Sequence, residues 1–352
     1  MRPRTLLTLL VFSILGVLVW RHLGDLSELG RTLRQGEPGW IAVAFVFQVL
    51  GLLNNAALYW ALYRVVDLNA TYAQILPLSL GSQFVNFATP SSGLGGTAVF
   101  VADAKVRGLA TGKVVFASVL FSLFNLLWFS LILILGLTLL FLRHDLAVYE
   151  VVSGVLLLTT TLLMLAALVL AGVRPAWLER TGQRLASFAN RLCRPLLKRD
   201  VTPPGAVETW VAEFGGAAWA LRGRTRALLP SLLFTVLTDL LEMGVLYTCL
   251  RAFLGASEPL SLGVLIAAYS IGVLFTSVSV TPQGLGVVEG AMGATLVSLG
   301  LPVAEVALGV LSYRGLSYWL PLLVGGVAMR VALQPNVKTE VNKVERRLER
   351  DA

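Results

Sequence analysis

Four ionisable residues stand inside stretches of chain that are otherwise apolar. Glu289 follows the phrase Thr281-Pro282-Gln283-Gly284-Leu285-Gly286, Arg314 lies near the middle of the run 303–330, and Asp239 and Glu242 lie in the run 227–250. The last two are spaced i,i+3, which puts both carboxylates on one helix face. A charge in an apolar span faces a partner, a bundle interior or a water-filled cavity, because lipid does not solvate it. The chemistry open to this set is electrostatic. Arg314 can serve as countercharge to an anionic group such as phosphate, with Glu289 as a partner that it releases. Asp239 or Glu242 can carry a coupling proton. The plainer reading is a set of fixed ion pairs that lock helices together. No nucleophile–base–acid set accompanies them, so an enzyme is not expected. His22 and His144 lie in separate loops and Cys193 and Cys249 lack ligand-like spacing, so neither a metal nor another cofactor is expected.

Two related phrases interrupt the apolar sequence. FATPSSGLGG begins at Phe87 and VTPQGLGVVEG at Val280, one in each half. Pro90 and Pro282 stop an entering helical arm, and the glycines permit a tight reversal. The returning arm then begins as a helix at the tip, where free N–H groups and the positive dipole end suit an anion. The residues expected to line such a site are Asn86, Pro90, Gly93, Gly95, Gly96, Thr281, Pro282, Gly284, Gly286, Glu289 and Arg314. Gln83, Ser91, Ser92 and Gln283 either join them or satisfy the broken backbone. Asp103 and Lys105 read as interfacial. The alternative is that the glycines only let the arms pack closely.

The elements that must position these residues follow from composition. The chain has 352 residues, 56% hydrophobic and 14% charged, with mean hydropathy +0.78; a soluble domain carries about 25% charged residues. Apolar runs at 5–20, 40–62, 114–142, 150–172, 227–250 and 303–330 predict six membrane-spanning helices. The N-terminus resembles a signal peptide in pattern but has no small-residue cleavage site, so a retained first helix is expected. The regions 73–107 and 260–300 carry the two phrases. Either each dips in and returns as a re-entrant hairpin, or each crosses twice.

Charge orients the chain. With both termini and the segment 173–226 cytoplasmic and the hairpins re-entrant, 22 of the 28 Lys/Arg fall on the cytoplasmic side and five outside, with Arg314 within the membrane. The segment 173–226 holds ten Lys/Arg against four Asp/Glu. Leu178, Leu185, Phe188, Leu192 and Leu196 stand there at helical spacing, as in an interfacial helix, and Trp210, Phe214 and Trp219 suggest a second short one. The same topology makes 1–142 and 150–333 two repeats of opposite orientation, followed by a charged cytoplasmic tail, 334–352. Gly108-Leu109 stands 18 residues after Pro90 and Gly300-Leu301 18 after Pro282, which supports the repeat. The expected fold is an all-α integral membrane protein: six spans and two re-entrant hairpins in an inverted-topology repeat, in the inner (cytoplasmic) membrane. The basic residues are not interleaved with aromatics on a soluble face, so nucleic acid is not an expected partner.

NFATPSSGLGG at 86–96 and TPQGLGVVEG at 281–290, the latter with an Arg about 25 residues on, resemble the transmembrane region of the lysylphosphatidylglycerol synthase/flippase family. The resemblance covers roughly residues 5–330. Pro282, Gly284, Gly286, Glu289 and Arg314 fit the family pattern, as do Asn86, Pro90, Gly95 and Gly96. Thr97 and Phe100/Val101 stand where members often carry an acid and an arginine. A charged pair common in the following helix gives way to the apolar run around Phe124-Asn125. The resemblance implies translocation of a lipid between leaflets: an anionic phospholipid, a polyprenyl phosphate or a glycolipid precursor. The tail is expected to be too short for a soluble aminoacyl-transferase domain. Membrane lipids are therefore the expected partners, with a lipid-synthesising enzyme as a further one. A small-solute or ion-coupled transporter and a non-transporting accessory subunit of a glycosyltransferase remain as alternatives.

Overall fold

A computed structural model describes residues 32–88, 94–142, 148–173, 179–184, 186–187, 191, 205–221, 225–255, 258, 260–279 and 281–333. The predicted first span 5–20, the tip residues 89–93 and the tail 334–352 lie outside the described residues. So do the five apolar residues of the proposed interfacial helix. Among the described residues the regular structure is helical throughout, with no strand.

The helices are α1 (Pro38–Val65), α2 (Tyr72–Ala88), α3 (Leu94–Arg107), α4 (Thr111–Leu142), α5 (Val148–Val173), α6 (Ala206–Leu221), α7 (Leu229–Arg251), α8 (Leu262–Val278), α9 (Val287–Ser298), α10 (Val303–Arg314) and α11 (Leu320–Leu333). Among the described residues four helical stretches are long and apolar enough to cross a membrane: Pro38–Val65, Thr111–Leu142, Glu150–Val173 and Arg226–Arg251. The predicted last span is helical too, but a π-turn at Gly315–Trp319 divides it into α10 and α11 directly after Arg314. Large apolar side chains such as Leu131, Ile134, Leu162, Leu163 and Leu233 point outward, as lipid-facing residues do.

Both interrupted regions are pairs of packed helices, α2 with α3 and α8 with α9. The second pair has arms of 17 and 12 residues, which rise about 26 Å and about 18 Å. The hydrocarbon core of a bilayer is about 30 Å thick, so α9 is too short to cross it alone. The two returning arms end alike. Gly108 (φ 68°) and Gly300 (φ 96°) take left-handed backbone, and the N–H of the following leucine donates to a carbonyl five residues back, Leu109 to Ala104 and Leu301 to Leu296. This is a Schellman cap. It explains why Gly-Leu recurs at one interval after both prolines.

The two halves interlock. The long helix of the first half, α4, packs on the entering arm α8 of the second hairpin, while α11 of the second half packs on the entering arm α2 of the first. Glycine permits each close approach. A Cβ on Gly136 of α4 would meet the Ser270 side chain, and one on Gly325 of α11 would meet the Leu80 carbonyl and Phe84. The helices α1 and α7 pack extensively against each other. On the flank, α6 packs against α4: Glu213 accepts a 2.6 Å bond from the Gly112 N–H, and Phe214 meets Phe116 edge-on with centroids 5.0 Å apart.

Candidate functional site

The tip of the second hairpin is built from backbone that only a few residue types tolerate. After Val278 the chain extends, turns through Pro282–Gly284 and starts α9 at Val287. Gln283 (φ 49°), Gly284 (φ 68°) and Gly286 (φ 82°) all lie in the left-handed region. Gly284 is tight as well: a Cβ there would come 2.5 Å from Val288 Cγ2. The Thr281 hydroxyl donates to the Leu285 carbonyl at 3.2 Å, and the Gly284 N–H donates to the Thr281 carbonyl at 3.0 Å. A broken backbone is thus satisfied locally, as an apolar surrounding demands.

Arg314 then ties this tip to the last long helix. Its Nε donates to Glu289 Oε1 at 2.8 Å and its Nη2 to the Gln283 carbonyl at 2.8 Å. Glu289 uses its second oxygen to accept the Gly286 N–H at 2.7 Å, capping the start of α9. The Arg314 side chain is 8% exposed and that of Glu289 25%, so the pair is sealed at the guanidinium end and open at the carboxylate end. Two of the five guanidinium N–H donors are engaged in these bonds. The Arg314 guanidinium also lies over the Tyr318 ring, 5.3 Å from its centroid. Tyr318 follows Arg314 by four residues and so shares its helix face.

Tyr318 carries the connection to the first hairpin. Its ring stacks on Phe87, the residue after Asn86, with centroids 5.7 Å apart, and the turn Pro282–Gly284 touches α2. The tyrosine hydroxyl is buried with no hydrogen-bond partner among the described residues. The first hairpin is held by a different device. Asn86 Oδ1 accepts the Gly96 N–H at 2.7 Å, which fixes the end of α2 against the first turn of α3. Gly96 is required for that approach, since a Cβ would lie 2.5 Å from Asn86 Nδ2 and 2.9 Å from its Cγ. Gly95 stands beside it, and Pro90 and Gly93 lie outside the described residues.

Where the first half departs from the charged pattern, aromatic rings fill the space. Phe100 stacks on Tyr59 at 4.3 Å and Tyr59 on Phe121 at 4.0 Å. Asp103 is held by Arg107 at 3.3 Å one turn along α3. Charge at the meeting of the hairpins therefore comes from the second half, through Arg314 and Glu289.

Asp239 and Glu242 sit apart from this tip, where α7 meets α1, α8 and α10. The Tyr269 hydroxyl of α8 donates to Asp239, and the Tyr313 hydroxyl of α10 lies 3.5 Å from Glu242 Oε2. Asn54 of α1 bridges to α7 by donating to Thr238 Oγ1 at 2.9 Å and to the Phe234 carbonyl at 2.7 Å. Among the described residues no group of three or more His, Cys, Asp or Glu could hold a metal ion. The sequence offered no signal for Tyr269, which stands in an apolar run. Tyr313 and Tyr318 were within reach of inspection, as polar aromatics at −1 and +4 from a buried arginine.

Residues 5–325 match the family described as lysylphosphatidylglycerol synthase TM region. The chain belongs to this family. It is also 24% identical over 348 residues to the UPF0104 membrane protein MJ1595 of Methanocaldococcus jannaschii, covering 95% of this chain and 96% of that protein. Membership in the lysylphosphatidylglycerol synthase TM family agrees with the all-helical fold and the membrane-length helices. The protein is a multi-pass membrane protein built on the family's transmembrane region.

Proposed function

We propose that this protein moves an anionic phospholipid or a lipid-linked precursor, such as a polyprenyl phosphate or a glycolipid, between bilayer leaflets. The observation that carries the reading is Arg314. It is a buried guanidinium placed at a hairpin tip, bonded to a partly exposed carboxylate, and next to the N-terminus of the helix which that carboxylate caps. In such a site a headgroup phosphate competes with Glu289 for Arg314 and takes further N–H groups from the start of α9. Glu289 leaves when the phosphate arrives and returns when it departs, so Arg314 is never left unpaired in the interior. The lipid tails stay outside, against the exposed apolar faces of the long helices.

The reading extends to topology. The halves 1–142 and 150–333 form an inverted repeat with re-entrant hairpins at 73–107 and 260–300. Both termini and the basic segment 173–226 face the cytoplasm of a cell whose inner membrane holds the protein. The reciprocal packing of α4 on α8 and of α11 on α2, together with the matched Gly-Leu caps, supports the repeat. The excess of basic residues in 173–226 supports the orientation. That face also suits an enzyme that makes the lipid.

The test is transbilayer exchange in liposomes carrying fluorescent anionic phospholipid or polyprenyl-phosphate probes. Wild type is expected to exchange at least one probe, and Glu289→Ala and Arg314→Ala to lose that exchange while remaining folded. Exchange unaffected by both substitutions, or none from folded wild type with any probe, would overturn the proposal.

A further inference from the structure

The cluster around Glu242 carries a second inference. Its carboxylate is reached from every side. From its own helix come Asp239, one turn earlier, and the Cys249 thiol; from α8 comes Tyr269; from α10 come Tyr313 and the charge of Arg314; from α1 comes the neutral amide of Gln48. The only cation in this set is Arg314, and it is bonded to Glu289. Glu242 therefore shares the field of Arg314 with Glu289, while Asp239 has the Tyr269 hydroxyl for its partner, so two carboxylates at i,i+3 face each other in an apolar interior where both charges do not readily persist.

A second observation points to what is missing. Gln48 is 2% exposed and its amide lies against the Glu242 carboxylate, yet its Oε1 is a buried acceptor with no donor. A protonated Glu242 would supply both lacks together, one negative charge fewer and one O–H donor more.

We propose that Glu242, with Asp239 beside it and the Gln48 amide against it, binds and releases a proton, and that this proton is linked through Arg314 to the anion site. The carboxyl site stands independently of lipid transport; the link rests on the function proposed above. Its sign follows from the charges. With Glu242 neutral, Arg314 loses one competing carboxylate and presents more positive potential to a headgroup, so the anion binds more tightly. By reciprocity, anion binding draws a proton onto Glu242. Proton and anionic lipid then travel together.

Two measurements on the full chain test this. The first is infrared difference spectroscopy in zwitterionic nanodiscs and potassium buffer, between ~pH 5 and ~pH 8, a range that lies above the ordinary carboxyl titrations near ~4, so that solvent-exposed acids contribute little. A protonated-carboxyl band should titrate, vanish in Glu242→Gln, and persist at a displaced frequency in Gln48→Leu. A band that both folded variants leave unchanged would overturn the proton site. Should Glu242→Gln fail to fold, an undisplaced band in Gln48→Leu overturns it alone. Erasure of the band by sodium at constant ionic strength would make the cluster a sodium site and equally refute it. The second measurement follows proton uptake by a pH indicator when dihexanoyl phosphatidylglycerol is added in weak buffer. Net proton uptake, at most about one per lipid bound and largest at the alkaline end of the range, is expected, and none for Glu242→Gln, which still binds. Binding without uptake overturns the link. Absence of binding by wild type overturns the link and the lipid reading together, while the infrared band stands or falls by itself.

Discussion

Gly96→Ala should damage the first hairpin by an amount that follows from its surroundings. The added methyl would sit 2.5 Å from Asn86 Nδ2 and 2.9 Å from Asn86 Cγ, and would also meet Ser82 Oγ. Asn86 cannot simply swing away, because its Oδ1 holds the Gly96 N–H at 2.7 Å. Overpacking of this kind costs about 1–3 kcal/mol, and the lost hydrogen bond a further ~1 kcal/mol. The gain in helix propensity from Gly to Ala returns at most about 1 kcal/mol. The net loss is about 2 kcal/mol. Gly290→Ala is the matched control, since a Cβ there meets nothing within 4 Å; it should be neutral or stabilising by up to ~1 kcal/mol. Denaturant unfolding in detergent, followed by tryptophan fluorescence, would read both. In the double variant Asn86→Ala/Gly96→Ala the clash with Asn86 is gone and only that with the Ser82 hydroxyl remains, so its loss should fall clearly short of the two single losses combined. A Gly96→Ala protein as stable as wild type, or strictly additive losses, would refute the packing argument.

Other expectations follow from the same contacts. A double-mutant cycle on Glu289→Gln and Arg314→Gln should give a coupling of about 1–3 kcal/mol in unfolding free energy; a value near zero would mean that the pair does not hold the tip. Gly108→Ala and Gly300→Ala should each cost about 1–2 kcal/mol for forcing a side chain into left-handed backbone. Similar losses at the two caps are expected in unfolding measurements, and a loss at one alone would separate the hairpins. Glu213→Ala removes the acceptor of the Gly112 N–H, so amide hydrogen exchange should quicken across 206–221 while the middle of α4 stays protected. Unchanged exchange there would show that the aromatic contact of Phe214 and Phe116 suffices.

Much of this architecture was legible because the membrane restricts what a sequence can mean. A Pro and several glycines inside an apolar run have few structural uses, and at 281–286 the chain breaks and reverses as expected. Glu289 and Arg314 were found as ionisable residues where lipid cannot solvate them, and they do pair. Other features had no local signature. Tyr269 stands within an apolar run, and only the packing of α7 against α1 and α8 brings it and Gln48 to the acids. The aromatic stack of Phe100, Tyr59 and Phe121 joins three helices from positions 59 to 121. An absence of charge in the first half is readable in one dimension, but what occupies the space is not.

The reciprocal packing of long helices on hairpins has a mechanical meaning. Each hairpin is clasped by the long helix of the opposite half, at contacts where glycine brings the pairs α4/α8 and α11/α2 too close to slide past inserted side chains. A shift of either hairpin therefore presses on a helix of the other half. Because the contacts run in both directions, the halves are tied to each other at two seams, and a substitution that loosens one seam is felt in the hairpin of the opposite half.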